Sequence, residues 1–198
     1  MRRRVWLAFS ALALAGMGMW HGAQPPELVE GLPERPVTTH RPIRAVPMTG
    51  GIAVMNGDID YALFNGLVKT LAANPDITQL NLTSHGGLVP AARAMARQVG
   101  LRRMKVEAHG LCASACVLVF MAGEQRLLAE DAQLAFHRWH DKGMSQLFGQ
   151  PDPEERDKAW LLERGLDAAF VAQIFDTPHD TLWKPTRAEL LAAGVLPP

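Results

Sequence analysis

The sequence predicts an α/β domain with a mostly parallel sheet, assembled from repeated ββα and βαβ units. Two observations carry that expectation. From residue 50 onward, short apolar runs alternate one by one with segments whose apolar residues recur at helical spacing. Glycine, asparagine or aspartate turn signals punctuate the alternation. The 198 residues are 48% hydrophobic and 20% charged, enough for one sizeable core and no clear second one.

The elements follow in order. Residues 52–55 (Ile-Ala-Val-Met) form a short buried strand, closed by the turn signal Asn56-Gly57. Asp58 is placed to cap a helix carrying Leu63, Phe64, Leu67, Val68 and Leu71 on one face. Asn74-Pro75-Asp76 stops it, and 77–82 reads as a second strand. After the turn Ser84-His85-Gly86-Gly87, residues 89–99 read as a helix with small and apolar faces. A strand over 105–108, a turn at Gly110-Leu111-Cys112 and a helix over 114–122 come next. Glu124-Gln125-Arg126 reads as a solvated turn, with short strands at 127–128 and 134–137. Helices are expected over 154–162, 166–175 and 187–193, the last stopped by Gly194. Phe120, Trp160, Phe170 and Trp183 are assigned to the core.

The first 48 residues have another character. Met1-Arg2-Arg3-Arg4 precedes an uncharged apolar run over 5–20, the pattern of a secretory signal. The run is shorter than the roughly 20 residues of a spanning helix. His21-Gly22-Ala23 is a poor cleavage site, so an uncleaved membrane anchor competes with export and cleavage. Six prolines between residues 25 and 47 fix φ and remove donors, so a linker is expected in which neither helix nor sheet runs. The expected organisation is thus 1–23 signal peptide or N-terminal membrane anchor, 24–48 proline-rich linker, and 49–198 folded domain. A periplasmic or other extracytoplasmic location follows.

Charge narrows the partners. Lys plus Arg and Asp plus Glu are 20 each, so the formal net charge is zero. That argues against nucleic acid as a partner, leaving room only for a local patch.

Three segments carry chemistry, each where a strand hands over to a turn or helix. Gly86-Gly87, between a strand and a helix, can point backbone N–H groups outward as a hole for an oxyanion, or can be an ordinary turn. Ser114, flanked by Ala113 and Ala115, opens an apolar helix. It is either an N-cap or a nucleophile on a strained strand-to-helix turn. His137 ends an apolar strand, where a hydrogen-bonded core histidine is the ordinary finding. Pairing it with His140 as metal ligands is disfavoured, because residues three apart on a strand face opposite sides. No metal and no cofactor is expected. Cys112 and Cys116 are the two cysteines, so one intramolecular bridge can be drawn. It is within reach only if Cys112 lies outside the helix; the alternative is two small buried thiols.

Taken together, strand-Ser-x-Gly-Gly-helix, then Gly-x-x-x-Ser-small at a helix start, then an apolar strand ending in His resemble the Clp-protease/crotonase superfamily. The nearest resemblance is to Clp-protease-like periplasmic proteins with a Cys-x-Ser-x-Cys signature, here Cys112-Ala113-Ser114-Ala115-Cys116. It covers roughly residues 50–195. The resemblance implies Ser114 as nucleophile, His137 as general base, and an oxyanion hole from the Ala115 N–H with one N–H of Gly86 or Gly87. It implies a third triad member before the last helix, with Asp180 the first choice and Asp176 the reserve. It also implies a peptide or protein substrate and a homo-oligomer. The segment after His137 (Arg138-Trp139-His140-Asp141) departs from Clp proteases, the handle helix is short, and docking features for an ATPase are absent, so no ATPase partner is expected.

The expected function is an exported serine hydrolase of the peptidase type, acting by acyl transfer. The competing expectation is a catalytically idle member of the fold that binds or assembles at the cell envelope. A crotonase-type thioester enzyme would need a coenzyme A site that the sequence does not display.

Overall fold

The computed structural model describes residues 44–46, 51–139 and 152–198, all within the compact unit Thr38–Pro198. The expected signal or anchor and most of the proline-rich linker lie outside the described residues, as do His140 and Asp141. No helix among the described residues is long and apolar enough to cross a membrane.

The strands are β1 (Arg44–Val46), β2 (Ile52–Asn56), β3 (Gln79–Ser84), β4 (Lys105–Ala113), β5 (Gln125–Leu128) and β6 (Gln133–Ala135). The helices are α1 (Tyr61–Ala73), α2 (Val89–Leu101), α3 (Ala115–Met121), α4 (Pro153–Glu163), α5 (Ala168–Asp176) and α6 (Arg187–Ala192). The sheet order is β1-β2-β3-β4-β5, with β6 also paired to β4. Every pairing except the antiparallel β1–β2 is parallel. The mostly parallel α/β sheet read from the sequence is therefore the observed one.

The helices form for reasons visible in their residues. In α1, Leu63, Leu67 and Leu71 recur every fourth position and are buried as one stripe. The Asp60 carboxylate, rather than Asp58, accepts from the Leu63 N–H at 2.8 Å and caps it. Helix α2 starts with Pro90 in its first turn, where the missing N–H costs nothing, and turns Ala91, Ala92, Met95, Ala96 and Val99 inward. All seven residues of α3 are buried, as its all-round apolar sequence requires. A capping box between Thr186 and Glu189 opens α6.

Several boundaries differ from expectation, each for a local reason. Residues 44–46 lie between Pro42 and Pro47, a stretch whose backbone donors are intact. It pairs with β2 at the sheet edge inside the segment expected to hold no sheet. Gln125 and Arg126 belong to β5 rather than to a solvated turn. The Arg126 guanidinium donates to the carbonyls of Val195 (2.8 Å) and Gly194 (3.0 Å), tying β5 to the chain end. Gly110-Leu111-Cys112 is not a turn, because β4 runs through it to Ala113. It does so irregularly: Leu82 pairs with Ala108, whereas Ser84, two residues on, pairs with Cys112, four residues on. The extra residues of β4 are absorbed at His109 and Gly110 (φ 57°), and Thr83 Oγ1 donates to the His109 carbonyl at 2.7 Å. The first half of β4 pairs with β5 and the second half with β6. The irregularity thus re-aims the strand end that delivers residue 114.

Phe120 and Phe170 are core residues as expected, whereas Trp160 and Trp183 are only partly buried and pack against the core. Buried Asp157 on α4 accepts from Arg93 of α2 at 2.6 and 3.0 Å, and from the Trp139 indole at 2.7 Å. This ties α4 to α2 and to the segment that follows His137. A carboxylate so buried is tolerated because it is both paired and hydrogen-bonded.

Candidate active site

Ser114 stands between β4 and α3 with φ 55° and ψ −126°, one of two non-glycine residues at positive φ among those described. An L-residue there is strained by about 1–3 kcal/mol. The strain is not offset by capping, because the hydroxyl makes no cap bond to its own helix. Of the two readings open from the sequence, the N-cap is therefore the one that the geometry disfavours. The backbone is held on both sides. The Ser114 N–H donates to the Ala135 carbonyl of β6 at 3.0 Å, and its carbonyl accepts from Val117 at 2.9 Å. Cys112 and Cys116 are joined by a disulfide with their Cα atoms 5.4 Å apart, so the covalent link spans the turn. Cys112 lies in β4, outside the helix, which brings the two into reach.

The glycine turn packs directly on this serine. A side chain at Gly86 (φ 104°) would place its Cβ 2.8 Å from Ser114 Cβ and 2.9 Å from the Ala113 carbonyl oxygen. Gly87 (φ 142°) bridges Ile59, whose N–H donates to the Gly86 carbonyl at 2.8 Å and whose carbonyl accepts from Leu88 at 2.7 Å. The two glycines are therefore not equivalent donors. The Gly86 N–H is occupied by Ser84 Oγ at 3.1 Å. The Gly87 and Ala115 N–H groups have no acceptor among the backbone bonds of the described residues, the latter because it is the first amide of its helix. Of the three expected oxyanion donors, Gly87 and Ala115 are open and Gly86 is not. Buried Ser84, named in the sequence only as part of the turn, holds it in place; the signal for that role is a hydroxyl two residues before a glycine amide.

His137 reaches the same neighbourhood through β6. Ala135 pairs with Ala113, so the histidine lies two residues beyond the partner of the residue before Ser114. Phe136 packs on Phe170 and Trp183 at ring-centroid distances of 5.3 and 5.7 Å, while His137 packs on His179 at 4.7 Å. The His179 loop is fastened on both sides of His137. Phe136 and Trp183 exchange N–H···O bonds of 2.8 Å, and Arg138 N–H donates to the Thr177 carbonyl at 2.9 Å. His137 is 6% exposed, and its Nδ1 is buried without a hydrogen-bond partner. Burial, then the neighbouring His179, lowers its pKa below the ordinary value, against a raising contribution from the His179 backbone. Burial and the neighbouring imidazole thus favour the neutral form of His137.

The expected acid is not in place. Asp180 and Asp176 are both exposed, and neither bonds His137 Nδ1. The fastened loop brings the His179 ring against the imidazole, and both His179 and Asp180 are exposed. The resemblance pointed to this loop, but it is the His179 ring rather than either carboxylate that meets the His137 ring. Among the described residues, no group of three His, Cys, Asp or Glu is arranged to hold a metal ion.

No family model matches the sequence, and no curated protein sequence matches it. Solved structures do match. ClpP1 from Listeria monocytogenes superposes with a TM-score of 0.59 at 18% identity, over 73% of this chain and 88% of that one. A mutant form of the 1510-N membrane-bound stomatin-specific protease gives 0.54 at 15% identity, over 73% and 76%. A Streptomyces coelicolor A3(2) protein assigned as an enoyl-CoA hydratase gives 0.51 at 16% identity, over 86% and 70%. The fold is therefore that of ClpP-like proteases and crotonase-like proteins.

Proposed function

We propose that this chain is an exported serine hydrolase of the peptidase class, with Ser114 as nucleophile, His137 as general base, and the Gly87 and Ala115 amides as the oxyanion hole. The observation that carries the reading is the strained, uncapped Ser114 at the end of β4, held against Gly86. A fold retains such strain where a side chain must be presented rather than used locally. A neutral imidazole accepts the serine proton as Oγ bonds to the substrate carbonyl carbon. The carbonyl oxygen takes the negative charge under the two amides. The imidazolium then protonates the leaving amine, and water repeats the sequence to release the acid and restore the serine.

The disulfide beside Ser114 supports a location outside the reducing cytoplasm, in keeping with the N-terminal apolar run and a periplasmic or membrane-anchored protein of the Cys-x-Ser-x-Cys type. A homo-oligomer working without an ATPase completes the reading.

Incubation of the purified protein with a mixed peptide library, read by mass spectrometry, tests the proposal. New termini are expected with wild type and none with Ser114→Ala. Identical profiles for the two would overturn it. One observation favours a second reading: the His137 Nδ1 lacks a carboxylate partner, as in a member of the fold kept for binding or assembly at the envelope. Folded wild type that cleaves nothing in the library would favour that alternative.

A further inference from the structure

A groove of about 590 Å³ opens where α2, α3 and α4 meet, lined by residues with no part in the Ser114 site. Four arginines face it, Arg93, Arg97, Arg156 and Arg164, against a single carboxylate, Asp157. In a chain with 20 basic and 20 acidic residues, that is a pronounced local excess of positive charge. Two of the four are committed. Arg93 is paired with Asp157, and Arg164 donates to the Met121 and Gly123 carbonyls at 2.9 and 3.0 Å, capping the end of α3. The Arg97 and Arg156 guanidiniums have no hydrogen bond or ion pair among the described residues, and both are exposed. The adjoining recess beside Phe64 and Pro90 is again lined by Arg93, Arg97 and Arg156, so the positive surface is continuous. A second recess, on the Arg164 side, carries Glu124 and Glu163; Glu124 is already paired with Arg103.

The groove also has an apolar wall. Trp160, expected in the core, is only partly buried and lines it, with Leu101, 74% exposed, on the same lining. Arg164 lies over the Trp160 ring at 5.9 Å, which fixes one face of the indole.

We propose that this groove binds a small organic phosphate or carboxylate whose oxyanion is held by Arg97 and Arg156 and whose apolar body lies against Trp160. Planar guanidinium forks match the two oxygens of such groups, and a free pair of them beside two committed arginines is stabilised when an anion enters. The volume suits a ligand of drug-like size. The site is independent of the hydrolase reading and stands if that reading fails.

Calorimetric titration of the full chain with inorganic phosphate and with phenyl phosphate tests it, at low and physiological salt. Saturable binding of phenyl phosphate is expected, tighter than that of phosphate. Arg97→Gln/Arg156→Gln should weaken both by about tenfold or more, as loss of charge-assisted bonds implies. Trp160→Leu should remove the preference for phenyl phosphate while keeping the phosphate affinity. Both substitutions fall on partly or fully exposed side chains, and an unchanged melting temperature confirms that the variants fold. A vesicle arm, flotation with about 30% phosphatidylglycerol in phosphatidylcholine, separates two sources of the same chemistry. Binding that the double variant lacks and that phenyl phosphate competes assigns a lipid headgroup; equal flotation of both proteins assigns a soluble ligand. Affinities that do not differ between wild type and the double variant, or no binding by wild type, would overturn the proposal.

Discussion

The Ser114 turn and the loop over His137 lie at neighbouring strand ends, yet they are held in different ways. Around Ser114 two constraints act on the serine itself, since β6 takes its N–H and Gly86 packs against its Cβ, and a disulfide between its neighbours spans the turn. Around His137 the hydrogen-bonded constraints act mostly on its neighbours, while its ring packs on His179. Phe136 and Arg138 are bonded to the facing loop, and Trp139 is bonded to Asp157, while the imidazole itself has an unpartnered nitrogen. A buried nitrogen left so costs about 1–3 kcal/mol. Ser114 is thus fixed largely by direct contact and His137 largely by its surroundings. In the proposed reaction, precision is therefore concentrated at the attacking atom, and the base works without a carboxylate on its Nδ1.

The contrast can be broken at its strongest point first. Gly86→Ala introduces a Cβ that meets Ser114 Cβ at 2.8 Å and a φ of 104° that L-residues avoid. Destabilisation of about 2–4 kcal/mol is expected, read as a drop in the urea midpoint. Hydrolysis by the remaining folded protein should fall on the order of 10²-fold, because the open Gly87 amide moves with its neighbour. A stable, fully active Gly86→Ala would mean that the close approach has no function.

The His137 side is sharpened by pH. Its folded-state pKa is lowered by burial and by His179. The unfolded chain therefore takes up the proton first on acidification. The stability contributed by a neutral His137 is complete above about pH 6.5 and is lost as pH falls through its folded pKa. Activity should follow the same base, with the acid limb of the kcat/KM profile centred below about pH 6.5. His179→Ala removes the neighbouring imidazole and should move that limb upward. An unmoved limb would show that His179 touches His137 without influencing it.

The smallest effect is expected at the residue that the family resemblance favoured. Asp180 is exposed and makes no bond to His137. Asp180→Asn should therefore change kcat/KM by less than about threefold, whereas loss of a triad aspartate would cost on the order of 10⁴-fold. A loss of that size would mean that the loop rearranges to bring the carboxylate in.

Much of this was legible in the residues. Strand and helix alternation produced the parallel sheet, because period and turn chemistry act locally. The Gly-Gly turn, Ser114 and His137 were each recognisable as the residue at a strand end. What could not be read depends on partners distant in the chain. The two-residue slip between β3 and β4 arises at His109 and Gly110 and has no local signature that distinguishes it from a turn. The choice between His179 and Asp180 is made by backbone bonds from Phe136 and Arg138 to Trp183 and Thr177, far along the chain. The commitment of the Gly86 amide to Ser84, which leaves Gly87 open, likewise depends on turn geometry rather than residue type.

The central claim is that Ser114 is a presented nucleophile, and covalent capture tests it most directly. Intact-mass spectrometry after exposure to a fluorophosphonate should show one adduct, located by peptide mapping at Ser114 and absent from Ser114→Ala. Folded wild type that stays unmodified, or an adduct carried equally by the Ser114→Ala protein, would contradict it.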